Sequence, residues 1–289
     1  MRSKLFVPGC RPELFPKALA SQADALSFDL EDAVPESGKV EARRLVGLAL
    51  QSPEFATTTK ILIVRVNSLA TPHFQADLAA VIGPRLDLLN LPKVESVEDV
   101  RVAAKALSLL EAERGLTRPI GILANIESPL GLRLASEIAN ADPRVAGLQL
   151  GFADLFEPLG IDRNDAAAVH QIQLAMRLAA GEAGIWTCDA AYGEIKNLEG
   201  YRAEALAAKR LGYVGKTCIH PSQIALANEI FRPTEAEIDF AQRVVEAAHN
   251  AELTGTGAFT VDGRMIDAPF IKRARVIVAI ARHLPPLAP

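Results

Sequence analysis

Short apolar runs recur along this chain, and the longer stretches between them carry apolar residues at helical spacing. The short runs predict strands at 3–7, 25–29, 61–66, 86–91, 121–126, 147–150, 185–188 and 215–219. The longer stretches predict helices at 12–21, 37–51, 96–114, 130–139, 165–183 and 198–211, with Pro129 well placed for a first turn. Beyond the last strand, further helices are expected at 223–231, 234–251 and 269–281, with a polar loop or hairpin at 255–267.

Strands alternating with helices imply a parallel sheet, and eight strands suit a closed (β/α)8 barrel better than an open sheet. An open sheet that binds a dinucleotide has a glycine-rich first turn. Here that turn reads Val7-Pro8-Gly9-Cys10-Arg11-Pro12, and no Walker A sequence occurs. The expected division is an α/β TIM barrel over 1–222 and a C-terminal extension of helices and a loop or hairpin over 223–289.

Composition narrows the class. Hydrophobic residues make up 49% and aromatic residues only 5% of the 289, so aliphatic side chains and alanine must fill the core. The net charge of −4 comes with no basic block of the kind that binds nucleic acid. No apolar run is long enough for a membrane span, and the first residues carry no signal-peptide pattern. Three cysteines without CxxC spacing fit neither a disulfide framework nor a zinc site, and point to a reduced cytoplasmic protein.

A barrel enzyme carries its chemistry at the C-terminal ends of its strands. Polar groups stand at nearly every predicted end: Glu31 and Asp32, Arg65 and Asn67, Lys93, Glu127, Asp154, Asp189 and His220. Glu127 and Asp154 follow consecutive strands, which lie about 4.8 Å apart in a sheet. Two such carboxylates can share Mg²⁺, which takes oxygen ligands and leaves positions for substrate, or each can cap a helix or pair with a base. Arg65 can clamp a carboxylate or enolate oxygen, or form a structural ion pair with Glu31, Asp32 or Glu127. Glu31 and Asp32 can orient metal-bound water or begin a loop as caps. His220 reads as a hydrogen-bonded structural residue, and Cys188 and Cys218 as small core residues.

In order and spacing, several stretches together resemble the citrate lyase beta-subunit family, which includes malyl-CoA and citramalyl-CoA lyases. They are Arg2-Ser3-Lys4-Leu5-Phe6-Val7-Pro8-Gly9, Asp29-Leu30-Glu31-Asp32-Ala33-Val34, Arg65-Val66-Asn67, Pro92-Lys93, Ile126-Glu127-Ser128 and Gly151-Phe152-Ala153-Asp154-Leu155. Gly215-Lys216, Ile219-His220-Pro221-Ser222-Gln223 and Asp262-Gly263-Arg264-Met265-Ile266-Asp267 complete the set. The resemblance covers nearly the whole chain. Ser128, Cys10 and Gln22 depart from the family's usual Thr, small polar residue and Gly.

The resemblance implies Mg²⁺ on Glu127 and Asp154, a substrate contact by Arg65, and Glu31 and Asp32 orienting the metal's waters. It also implies a homotrimer whose C-terminal extension packs on a neighbouring subunit and supplies Asp267 as a catalytic acid or base. The implied reaction is retro-Claisen cleavage of a 3-hydroxyacyl-CoA, with Arg11 and Lys17 near the CoA phosphates. The alternatives are a citrate lyase complex subunit acting on citryl-acyl-carrier protein, and an aldolase acting on free 2-oxoacids.

Overall fold

The computed structural model describes residues 1–254 and 257–283. They form two compact units, Met1–Phe231 and the segment from Arg232 onward.

In the first unit, eight parallel strands close in sequence order into a barrel. They are β1 (Ser3–Pro8), β2 (Ala25–Asp29), β3 (Ile61–Arg65), β4 (Leu88–Leu91), β5 (Gly121–Ile126), β6 (Val145–Leu150), β7 (Trp186–Asp189) and β8 (Gly215–Cys218). β8 pairs back onto β1, with Lys4 opposite Thr217 and Leu5 opposite Cys218.

Strand side chains alternate between the two faces of the sheet. Leu5, Val7, Leu26, Phe28, Leu62, Val64, Ile122 and Leu148 pack outward in the main core beneath the helices. Their sequence neighbours point inward. Ala25, Ile63 and Leu123 form an apolar floor with Met1, Ile61, Leu88 and Trp186 packed on it. Toward the C-terminal strand ends the inward residues turn polar: Ser27, Asp29, Asn90, Asn125, Glu127 and Gln149, all buried. The barrel therefore has a dry lower end and a charged upper one.

The long helices form where spacing placed them, and their starts have physical causes. Ser96 and Asp99 make a reciprocal capping box at Val97–Glu113. Asp165 accepts the Ala167 and Ala168 N–H groups at Ala166–Glu182, and Asn197 that of Gly200 at Leu198–Arg210. The stretch expected to be helical over 130–139 breaks at Leu134 into Pro129–Arg133 and Ala135–Ala139. Three further helices were not expected: Pro53–Thr57, Phe74–Val81 and Phe152–Phe156. They are too short for helical periodicity to register. The first unit runs past the expected boundary at 222, because the helix Ile224–Ile230 packs on β1 and β8.

The second unit contains the helix Glu235–Thr254, the antiparallel strands β9 (Phe259–Val261) and β10 (Arg264–Ile266), and the helix Ala268–His283. Asp262 and Gly263 turn the hairpin with φ of 49° and 75°, the left-handed pair that a tight two-residue loop requires. Val261 and Ile266 pack with Ala241, Val244 and Ala274 into a small core. Residues 255 and 256, at the start of the expected loop or hairpin, and residues 284–289 of the expected extension lie outside the described residues. Among the described residues, no helix is long and apolar enough to cross a membrane.

Candidate active site

Arg65 closes β3 and organises the charged end of the barrel. Its Nε and Nη2 each donate to one oxygen of Asp29 at 2.7 Å, the paired geometry a guanidinium favours. Its Nη1 lies 2.9 Å from Glu31 Oε2 and 3.0 Å from Asp32 Oδ2. Nε, Nη1 and Nη2 each donate one hydrogen bond to Asp29 or Asp32, and Glu31 adds an ion pair without one. Burial opposes the charge, but the Asp29 carboxylate and then Glu31 and Asp32 raise the pKa above the ordinary arginine value. The ion pair with Glu31 and Asp32 weighed from sequence is present.

Asp29 was missed as a functional residue. It is the last residue of β2, opposite Arg65 in register, and 2% exposed. Besides holding Arg65, its carboxylate accepts the backbone N–H groups of Glu31 and Ala33. One buried carboxylate therefore orients both the arginine and the acidic loop. Burial works against its charge, and Arg65 with the two N–H groups still holds its pKa below the usual range. That loop is also fastened from outside: Asn67 and Lys39 donate to the Leu30 carbonyl, and Asp77 accepts from Asn67.

Lys93 links the halves of the site. It has φ of 52°, a left-handed conformation uncommon for a side chain of this kind. The turn aims its backbone N–H at Glu127 Oε1, 2.6 Å away, while its Nζ lies 2.8 Å from Glu31 Oε1. Such local strain clusters at functional sites. Burial pulls the ammonium down, yet Glu31 holds its pKa above the usual value.

Glu127 follows β5 and is 4% exposed. A Cβ at Gly151 would stand 2.4 Å from Glu127 Oε2, so only glycine lets the end of β6 approach this carboxylate. Three residues on, Asp154 sits exposed in the first turn of Phe152–Phe156. Burial pushes Glu127 up to about 7, with Glu31 and Asp154 adding repulsion that Arg65 only partly offsets. Burial also raises Glu31, against Arg65 and Lys93. Among the described residues, no three His, Cys, Asp or Glu side chains converge as metal ligands. A carboxylate pair completed by water or substrate oxygens is the donor set that Mg²⁺ accepts.

Glu31, Asp32, Arg65, Glu127 and Asp154 thus come together at one end of the barrel, joined by Asp29 and Lys93. Arg11 and Lys17 lie beyond β1 at the same strand-end face, both exposed, and Glu13 pairs with Arg11. Asp267 belongs to the second unit, directly after β10, where its carbonyl accepts the Ile271 N–H.

Asp189, a polar strand end in the sequence, does not face the site. β7 runs one residue further than expected, and Asp189 points outward between barrel and helices. There it meets Lys216 Nζ at 2.6 Å and the Gln173 amide at 2.9 Å, while Glu204 lies 2.8 Å from the same ammonium. His220 has the expected structural role: its Nδ1 accepts the Ser222 N–H and caps the turn Pro221–Gln223.

A closed parallel barrel gathers five acids, an arginine and a lysine at its C-terminal strand ends, the face where barrel enzymes carry their chemistry. The chain belongs to the HpcH/HpaI aldolase/citrate lyase family, matched over residues 2–221, and is a carbon–carbon lyase. It is 39% identical to the citrate lyase subunit beta of Escherichia coli K12, over 97% of this chain and 93% of that one. It is 35% identical to the L-malyl-CoA/beta-methylmalyl-CoA lyase of Cereibacter sphaeroides, over 98% and 95%. Protein CitE from Mycobacterium tuberculosis, solved with magnesium, acetoacetate and coenzyme A, matches with a TM-score of 0.75 and 31% identity, over 98% of this chain and all of that one. A citrate lyase beta subunit from the same organism, with oxaloacetate and magnesium, matches with a TM-score of 0.68 and 33% identity, over 80% and 97%.

Proposed function

We propose that this chain is a Mg²⁺-dependent lyase that cleaves a 3-hydroxyacyl-CoA of the citramalyl, malyl or citryl type into acetyl-CoA and an oxo-acid. The observation that carries this reading is the Glu127–Asp154 pair. Glu127 is buried and raised to about 7, by burial first and then by the nearby charges of Glu31 and Asp154, which supports a place for a cation here. Oxygen-only donors suit a hard divalent ion, and the relatives solved with magnesium support the choice.

Glu127 and Asp154 would hold the ion, with Glu31 and Asp32 ordering water around it. When bound, Mg²⁺ supplies Lewis-acid polarisation of the substrate oxygens that become the oxo-acid. Arg65, anchored by Asp29, gives an N–H not spent on Asp29 or Asp32 to the thioester oxygen, where negative charge grows as the carbon–carbon bond breaks. The hydroxyl loses its proton, the bonding pair moves to the departing acetyl carbon, and that carbon takes a proton to give acetyl-CoA. Asp267 of a neighbouring subunit in a homotrimer exchanges these protons. Arg11 and Lys17 attract the CoA phosphates, with the Arg11 charge partly spent on Glu13. The three free cysteines suit a reduced cytoplasmic setting.

The test is a panel. Purified protein with Mg²⁺ is offered malyl-, citramalyl- and citryl-CoA, and released oxo-acid is measured. Release abolished by EDTA and by Glu127→Ala is expected; full activity in EDTA would overturn the metal role. Mixed trimers of Asp267→Ala and Arg65→Ala chains should regain activity, and none in verified mixed trimers sinks the shared site. The similarity to citrate lyase beta subunits favours a second reading, action on citryl-acyl-carrier protein, which cleavage of the carrier thioester but not the CoA ester would establish. An aldolase on free 2-oxoacids would act without any thioester.

A further inference from the structure

One lysine inside the barrel is not used by the steps above. Lys4 lies on β1, opposite Ala25 of the barrel floor, and alternates with the outward residues Leu5 and Val7. It is fully buried, and its Nζ has no hydrogen-bond partner. The ammonium stands 4.0 Å from the centroid of the Phe6 ring, and the Arg65 guanidinium 4.9 Å from the same centroid. Burial lowers the pKa of the Lys4 ammonium to about 7; the Arg65 charge lowers it too, while Asp29 and Glu127 act the other way.

A cation–π contact offsets only part of the cost of burying an ammonium with three unused donors. Methionine would fill nearly the same space without that cost. The position supplies a reason for the charge. Asp29 and Glu127 act on Lys4 inside the barrel, while Glu31, Asp32 and Asp154 act on Lys93 at the strand ends.

We propose that Lys4 is a positioning residue for the reaction, placing positive charge inside the barrel beside the Phe6 ring that Arg65 also contacts. It loosens the grip of the carboxylates on the divalent ion and favours the negative charge that the substrate develops. The inference rests on the lyase reading for its kinetic part only.

The test uses the full chain with Lys4→Met and with Lys4→Gln, which removes the charge but keeps a polar end. Tm is read by calorimetry and Mg²⁺ affinity by titration with MgCl₂ alone. Lys4→Met should raise Tm by about 3 °C, because an unpartnered ammonium is removed. Both variants should bind Mg²⁺ about tenfold more tightly, since a like charge is lost from its surroundings. With a cleaved CoA ester, kcat should fall about tenfold while KM stays within about twofold, because the charge acts on the transition state. Unchanged Mg²⁺ affinity in both variants would overturn the proposal, as would unchanged kcat in both. A lower Tm in both would also overturn it, by showing that the ammonium has a stabilising partner. If the unaltered protein cleaves none of the esters, the lyase reading fails, while the Mg²⁺ titration and Tm still decide the role of Lys4.

Discussion

Replacing Gly151 by alanine tests whether close approach of β6 to Glu127 builds the proposed metal site. The new methyl would lie 2.4 Å from Glu127 Oε2 and 2.6 Å from Glu127 Cβ. Comfortable carbon contacts begin near about 3.5 Å, so the carboxylate must move by about 1 Å. Gly151 has φ of −121°, which alanine adopts freely, so backbone strain does not contribute. Overpacking of this kind costs about 1–3 kcal/mol, seen as a fall of about 2–10 °C in Tm. A misplacement of about 1 Å in a catalytic group lowers kcat/KM about 100-fold. Calorimetry and Mg²⁺ titration read the two consequences separately. Glu127→Ala removes the nearer of the two contacts, so both substitutions together should destabilise less than the sum of each alone. Wild-type Tm and Mg²⁺ affinity in Gly151→Ala would refute the reasoning, because the site would then not depend on where Gly151 lets Glu127 sit.

Three further outcomes are expected. Glu127 is raised from 4.5 to about 7, so in metal-free protein its protonated form contributes stability that is full below 4.5 and lost as pH rises through about 7. Urea unfolding against pH in EDTA should show that fall, and Glu127→Gln should lack it. Asp29→Ala leaves the buried Arg65 without its main partner and should cost about 3–5 kcal/mol, together with most of the activity; a variant of normal stability and rate would remove Asp29 from the site. Lys216→Met leaves the buried Asp189 unpaired and should cost a similar about 3–5 kcal/mol, yet leave kcat of the folded fraction unchanged, because that network faces the helices. A loss of kcat at wild-type stability would place Lys216 in the chemistry instead.

Much of the barrel was legible because each strand is a short apolar run between helical stretches. Glu127, Asp154, Glu31, Asp32 and Arg65 stood out as charges immediately beside such runs. What stayed hidden was their mutual dependence. Asp29 read as an ordinary strand end two residues ahead of the conspicuous Glu31-Asp32, and nothing in one strand says that its last residue faces Arg65 on the next. Lys93 was visible as a polar strand end, but not its left-handed backbone, which aims an N–H at Glu127. Asp189 was assigned to the wrong face because strand side chains alternate, and ending β7 one residue early reverses the reading. Lys4 was quoted within a motif and given no role, since a lysine near the start of a strand more often reaches solvent than the interior. For Asp267, the local sequence showed only a turn before Pro269, and its suggested role came from the family resemblance alone.

The apolar floor and charged upper end of the barrel divide labour along single strands. Ile63 helps seal the barrel, and two positions on, Arg65 meets the acids. Leu123 seals it on β5, and four positions on stands Glu127. Because these paired duties share a strand but not a layer, substrate preference can drift at the upper residues while closure is guarded at the lower ones. A strand that loses its floor residue would instead threaten the whole fold, however intact its charged tip. That separation leaves the upper residues free to change without the barrel being rebuilt.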